Sequence, residues 1–183
     1  MSYTDQEFDQ VVELNLKGSF IALRETGRIM TAQQSGSIIL YSSIRSQVVE
    51  PGQSVYAATK AGIVQLVKTA AAEFAENGVR VNAIAPGWFP SEMTRAWVRK
   101  NVFLDHISNN SPMGRIGEPR ELAGALLLLA SGASSFINGE VISVDGGVNA
   151  STGLPFFNEE MFEFMEKAVP GGLAKRINSN LPQ

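Results

Sequence analysis

The 183-residue chain is 44% apolar and 18% charged, with 15 basic against 18 acidic residues for a net charge of −3. A charged fraction below the roughly 25% of average globular proteins excludes a wholly disordered chain, and the length suits one soluble domain with a sizeable core. The balanced charge, with no Lys/Arg block, argues against a nucleic-acid partner. No cysteine is present, which removes thiol catalysis, disulfides, iron–sulfur clusters and cysteine zinc sites, and the single histidine, His106, leaves few metal designs; none is expected. The longest apolar run, Leu122 to Ala130, is half a membrane span, and the first residues do not read as a signal peptide. The expectation is a cytoplasmic protein without a membrane partner.

In chain order, Thr4 and Glu7 form a capping-box pattern, and Phe8, Val12 and Leu16 recur at helical spacing, so a helix is expected over about residues 5–30. After the Gln33–Gly36 break, Ser37-Ile38-Ile39-Leu40-Tyr41 suits a buried parallel strand. Residues 45–53 read as loop, and a second helix runs from Ser54 to about Ala75 with Val55, Ile63, Val67 and Phe74 on its repeat. Asn77-Gly78 stops it. Residues 79–85 form a second strand, ended by Pro86-Gly87. Residues 91–110 read as a helical flap over a cleft. Glu118-Pro119-Arg120 opens a helix through Ala130, and residues 140–144 form a third strand closed by Asp145-Gly146-Gly147. Residues 148–183 read as a C-terminal extension with one amphipathic stretch, Phe157 to Val169. Alternating helix and strand implies an α/β layer structure around a parallel sheet, here of about three strands, which leaves its first strand with an open edge.

The stretch from Ser42-Ser43 to Tyr56-Ala57-Ala58-Thr59-Lys60 is the most informative for chemistry. Four residues apart on a helix, Tyr56 and Lys60 share one face, and a nearby ammonium lowers a phenol's pKa toward the range useful in proton transfer. The spacing alone also fits an ordinary amphipathic helix. Ser43 lies thirteen residues before Tyr56, at the end of the first apolar strand. Asn15, in Val12-Glu13-Leu14-Asn15-Leu16-Lys17-Gly18, puts an amide on the apolar helix face, where it needs a partner; backbone of its neighbours would serve as well as a catalytic one.

These residues, with Val79-Arg80-Val81-Asn82-Ala83-Ile84-Ala85-Pro86-Gly87 and Asn138-Gly139-Glu140-Val141-Ile142-Ser143-Val144-Asp145-Gly146-Gly147, resemble the short-chain dehydrogenase/reductase family over nearly all of residues 1–147. The resemblance implies the C-terminal catalytic part of a Rossmann-like, doubly wound parallel sheet, truncated to its last three strands with flanking helices. It implies an NAD- or NADP-dependent oxidoreductase acting on a hydroxyl or carbonyl group of a small polar substrate of the sugar, sugar acid, polyol or 3-oxoacyl class. In that scheme Tyr56 protonates the developing alkoxide, Ser43 hydrogen-bonds the same oxygen, and Lys60 lowers the Tyr56 pKa and holds the nicotinamide ribose. Asn15 fixes a relay water. The hydride must come from the cofactor, since no side chain supplies one. Pro86, Gly87, Phe89 and Ser91 are expected to meet the nicotinamide, together with Tyr56 and Lys60; Trp88 walls the pocket or packs in the core. Arg45, where the family often carries a small or apolar residue, would bind a carboxylate, a phosphate or a sugar hydroxyl, or else face solvent. His106 touches substrate or faces water.

The sequence also departs from the family. The Gly-rich G-x-x-x-G-x-G turn that cradles the cofactor pyrophosphate is not in it, nor is the residue that selects NAD or NADP. The chain alone is therefore expected to bind NAD(P)H weakly or not at all. The alternative is a catalytically silent fragment acting only as an oligomerisation or interaction module, because helices 5–30 and 54–75 resemble those through which the family forms homodimers and homotetramers.

Overall fold

In the computed structural model, which describes residues 3–91, 107 and 111–151, each of the three expected strands is found, and the described residues belong to one compact unit. Strand β1 (Gly36–Tyr41), β2 (Val79–Pro86) and β3 (Val141–Val144) lie side by side in that order, all parallel. Gly36 aligns with Val79 and Tyr41 with Ile84; Ala83 aligns with Val141 and Pro86 with Val144. Such parallel pairing requires helical crossovers, and helices flank the sheet accordingly. Among the described residues the fold is Rossmann-like, with β2 central: Val81, Ala83, Ile84 and Ala85 have no exposed surface.

The N-terminal helix starts as expected. Thr4 Oγ1 accepts from the Glu7 backbone N–H at 3.2 Å, and the Glu7 carboxylate accepts from the Thr4 N–H at 2.8 Å. It is interrupted, however. Helix α1 (Asp5–Val12) passes into a π-helical segment (Glu13–Lys17) before α2 (Gly18–Gln33), and the Gly18 N–H donates to the Glu13 carbonyl five residues back. Helix α3 (Ser54–Phe74) ends through a 3-10 turn at Gly78, whose φ of 69° suits glycine and whose Cβ equivalent would press on the Gln34 carbonyl oxygen. Glu118 and Pro119 open with a 3-10 turn (Pro119–Leu122), and only then does α4 (Ala123–Ala130) begin.

The core lies between the sheet and α2 and α3, from Leu23, Ile38, Ile63, Val67, Ala71, Val79 and Val81. The apolar stripe of α1 is not part of it: no α1 residue is buried, and Phe8 is 49% exposed. Helix α1 packs against α3 rather than against the sheet. Two asparagine side chains fix β3, Asn82 fully buried and Asn138 at the surface. Asn82 Nδ2 donates to the Ile137 carbonyl at 3.0 Å while its Oδ1 accepts from the Glu140 N–H at 2.9 Å. Asn138 Oδ1 accepts from the Val81 N–H at 2.8 Å and its Nδ2 donates to the Ala71 carbonyl at 2.9 Å. The expected flap falls almost wholly outside the described residues, as do His106 and the amphipathic stretch 157–169.

Candidate active site

All three strands end on the same side of the sheet, and in open parallel sheets the crevice outside the carboxyl ends is where ligands bind. There β1 runs through Tyr41 into Ser42 and Ser43, and β2 runs through Pro86 into Gly87. The Gly87 N–H donates to the Val144 carbonyl at 2.9 Å. A Cβ on Gly87 would come within 2.7 Å of the Asp145 Cα, so this turn can lie against the end of β3 only with glycine. Beyond it, the Gly117 N–H donates to the Trp88 carbonyl at 2.9 Å, which anchors the loop carrying Trp88 and Phe89.

A cleft of about 510 Å³ opens here, lined among others by Ser43, Tyr56, Gly87, Phe89 and Ser91. Ser43 is buried and begins a 3-10 turn, its Oγ accepting from the Arg45 N–H at 3.2 Å. Ser42, also buried, joins strand to helix: its Oγ donates to the Lys60 carbonyl at 3.0 Å, and its N–H donates to the Ile84 carbonyl at 2.9 Å. This tie holds the start of α3, and so Tyr56, beside the end of β1.

One helical turn after Tyr56, the Lys60 Nζ lies 5.6 Å from the Tyr56 ring centre and donates to the Tyr41 carbonyl at 3.0 Å. Burial pushes the Lys60 ammonium below the ordinary lysine range. Between these two residues in sequence, Thr59 Oγ1 donates to the Tyr56 carbonyl at 2.7 Å and accepts from Asn15 Nδ2 at 3.4 Å. Asn15 thus finds its partner on α3, and it does so from within the π-helical segment. Single-turn π segments concentrate at functional sites, where the extra residue re-aims neighbouring groups. Nothing in the residue types of Glu13–Lys17 signals it.

Arg45 does not face solvent. Only 12% of its side chain is exposed; the guanidinium forms a salt bridge with Glu50 and lies 5.2 Å from the Trp88 ring centre. Trp88 therefore lines the cleft as well. Sequence reasoning missed Tyr3, Gln53 and Glu50: the first two line the cleft, and Glu50 neutralises Arg45. Their signal is absent because each acts through a loop contact that has no periodicity. Among the described residues, no cluster of three or more His, Asp or Glu side chains is placed to hold a metal ion, and no helix is long and apolar enough to cross a membrane.

A family model described as enoyl-(acyl carrier protein) reductase matches residues 1–149. The chain is 40% identical over 148 residues to a 3-oxoacyl-(acyl-carrier-protein) reductase of Staphylococcus epidermidis, covering 81% of this chain and 60% of the relative. It is 35% identical over 149 residues to gluconate 5-dehydrogenase of Gluconobacter oxydans, covering 81% and 58%. The structure of a gluconate 5-dehydrogenase from Burkholderia cenocepacia J2315, in complex with NADP and tartrate, superposes with a TM-score of 0.80 at 36% identity, covering 82% of this chain and 59% of that one. The chain thus spans about 60% of the length of the curated relatives it matches. With the motifs in one order along the chain and the fold shared, the protein belongs to the short-chain dehydrogenase/reductase family.

Proposed function

We propose that this chain carries the catalytic half of an NAD(P)-dependent oxidoreductase that interconverts a hydroxyl and a carbonyl group on a small polar substrate. The observation that carries the reading is the convergence of Ser43 and Tyr56 on one cleft with the Lys60 ammonium 5.6 Å from the Tyr56 ring. In reduction, the substrate oxygen accepts hydrogen bonds from Ser43 Oγ and Tyr56 Oη, and Tyr56 gives up its proton as negative charge develops on that oxygen. In oxidation the same groups take the proton away. Ser43 is held in place as the extended N-cap of the 3-10 turn Ile44–Ser46.

A nicotinamide cofactor supplies the hydride when bound. The residues here fit its nicotinamide end. Lys60 Nζ has three donors and uses one on the Tyr41 carbonyl, which leaves two for ribose hydroxyls. Pro86, Gly87, Phe89 and Ser91 form the loop at the carboxyl end of β2, where the nicotinamide ring would rest, and Asn15 acts through Thr59 on the Tyr56 backbone. The sequence contains no Gly-rich turn for the pyrophosphate.

Residues 1–147 form the catalytic part in this reading, and residues 148–183 an extension. The chain is further proposed to pair with a second copy as homodimer or homotetramer. Val12, Leu16, Phe20 and Leu66 line an open apolar groove on the outer face of α1–α3, with Phe20 43% exposed. Sedimentation would report that assembly directly. The names of the relatives over residues 1–149 favour the catalytic reading over a silent interaction module.

The test is reduction of a carbonyl substrate by the chain at saturating NADPH, with Tyr56→Phe as control. The expected result is a rate at least about a hundredfold lower in Tyr56→Phe. Equal rates in both proteins would refute the assignment of Tyr56.

A further inference from the structure

The pairing of Arg45 changes what the cleft recognises. An unpaired arginine beside Ser43 and Tyr56 would call for an anion, but this one is already matched. Its guanidinium is bridged to Glu50 and lies over Trp88, and the Glu50 carboxylate also accepts a 2.8 Å hydrogen bond from Gln53 Nε2. Arg45, Gln53 and Trp88 line the same cleft as Ser43 and Tyr56.

A substrate carboxylate brought to Arg45 meets the negative charge of Glu50. To take its place, it would have to expel a carboxylate that is only 29% exposed and strip it of both partners. A hydroxyl group meets no such conflict. It can donate to a carboxylate and accept from a guanidinium or amide N–H, so several hydroxyls on one carbon chain can bind without breaking the ion pair. We propose that this cleft takes an uncharged polyhydroxyl substrate, a polyol or neutral sugar, in preference to a sugar acid, and that Glu50 is the residue that rejects the carboxylate. Discrimination of this kind rests on a repulsive element as much as on an attractive one. The inference rests on the reading of the cleft as the substrate site of an oxidoreductase.

Calorimetric titration of the 183-residue chain with sorbitol and with gluconate at neutral pH tests it. The wild-type chain should bind sorbitol at least about tenfold more tightly than gluconate, and Glu50→Gln, which releases the Arg45 charge, should shift that ratio toward gluconate by at least about tenfold. Glu50→Gln leaves a buried arginine without its counter-ion, so a second variant guards against misfolding. The double substitution Arg45→Gln with Glu50→Gln removes both charges together, and it should shrink the discrimination between the two compounds. Tighter binding of gluconate by the wild type, an unchanged ratio in both variants, or no binding of either compound to the wild type would overturn the proposal. Sorbitol preference in a chain whose carbonyl reduction is unchanged by Tyr56→Phe would instead overturn the oxidoreductase reading and leave this specificity standing.

Discussion

Lys60 is where site chemistry and stability pull against each other. The pKa of its ammonium is drawn below the ordinary value of 10.5 by burial, and it donates to the Tyr41 carbonyl. A lysine whose folded-state pKa is depressed binds fewer protons folded than unfolded in the window between the lowered value and 10.5. Stability therefore rises with pH across that window and is held down below it. Lys60→Met should lack this rise in urea unfolding followed as a function of pH, and at pH 7 its unfolding midpoint should equal or exceed that of the wild type. A stabilising loss of a site residue is the usual sign of a functional group kept at a cost to the fold. The neighbouring Arg45 shows the limit of reading single residues. The sequence places an arginine two positions after Ser43, but whether it is an open charge or a matched one depends on Glu50, which a loop returns to it.

Elements were legible wherever the apolar pattern had a period and a stop signal. Strands β1 and β2 appear at their expected places because short apolar runs bounded by Gly and Pro leave few alternatives, and α3 because its stripe of Val55, Ile63 and Val67 is in fact buried. The stripe of Phe8, Val12 and Leu16 reads as one uninterrupted helix, and that reading needed correction, although Leu16 does pack against the core. The π segment adds a residue to one turn without altering the pattern, and the half-exposed Phe8 shows that periodicity reports amphipathicity, not what covers the face. The roles of Asn82 and Asn138 were equally hidden, although the segments containing them were recognised. Asn82 joins β2 to the Ile137 carbonyl and the Glu140 N–H ahead of β3, while Asn138 joins the Val81 N–H of β2 to the Ala71 carbonyl of α3, so together they pin the approach to β3. Asn82→Ala should leave the Glu140 N–H without its side-chain acceptor and the Ile137 carbonyl with Arg80 as its remaining side-chain donor, and lower the unfolding free energy by about 1–3 kcal/mol. Chemical denaturation measures this; a loss under about 0.5 kcal/mol would show that water replaces the side chain.

At the scale of the molecule, the described residues form three parallel strands whose carboxyl ends gather the candidate Ser43, Tyr56 and the Pro86-Gly87 turn, with more apolar helix surface than the sheet can bury. Leu127 is 68% exposed on α4 and Leu14 is 77% exposed in the π segment, so both flanks present apolar surface. In the proposed reading, Lys60 and the loop of residues 86–91 would meet the nicotinamide and its ribose. The central claim is that these residues hold the reacting end of the cofactor. It is tested most directly by titrating the 183-residue chain and its Lys60→Met variant with reduced nicotinamide mononucleotide and with NADPH, following nicotinamide fluorescence. The account predicts weak, saturable binding of both to the wild type, with affinities within about tenfold of each other and both lost in Lys60→Met. No binding of the mononucleotide, or equal binding by Lys60→Met, would contradict it.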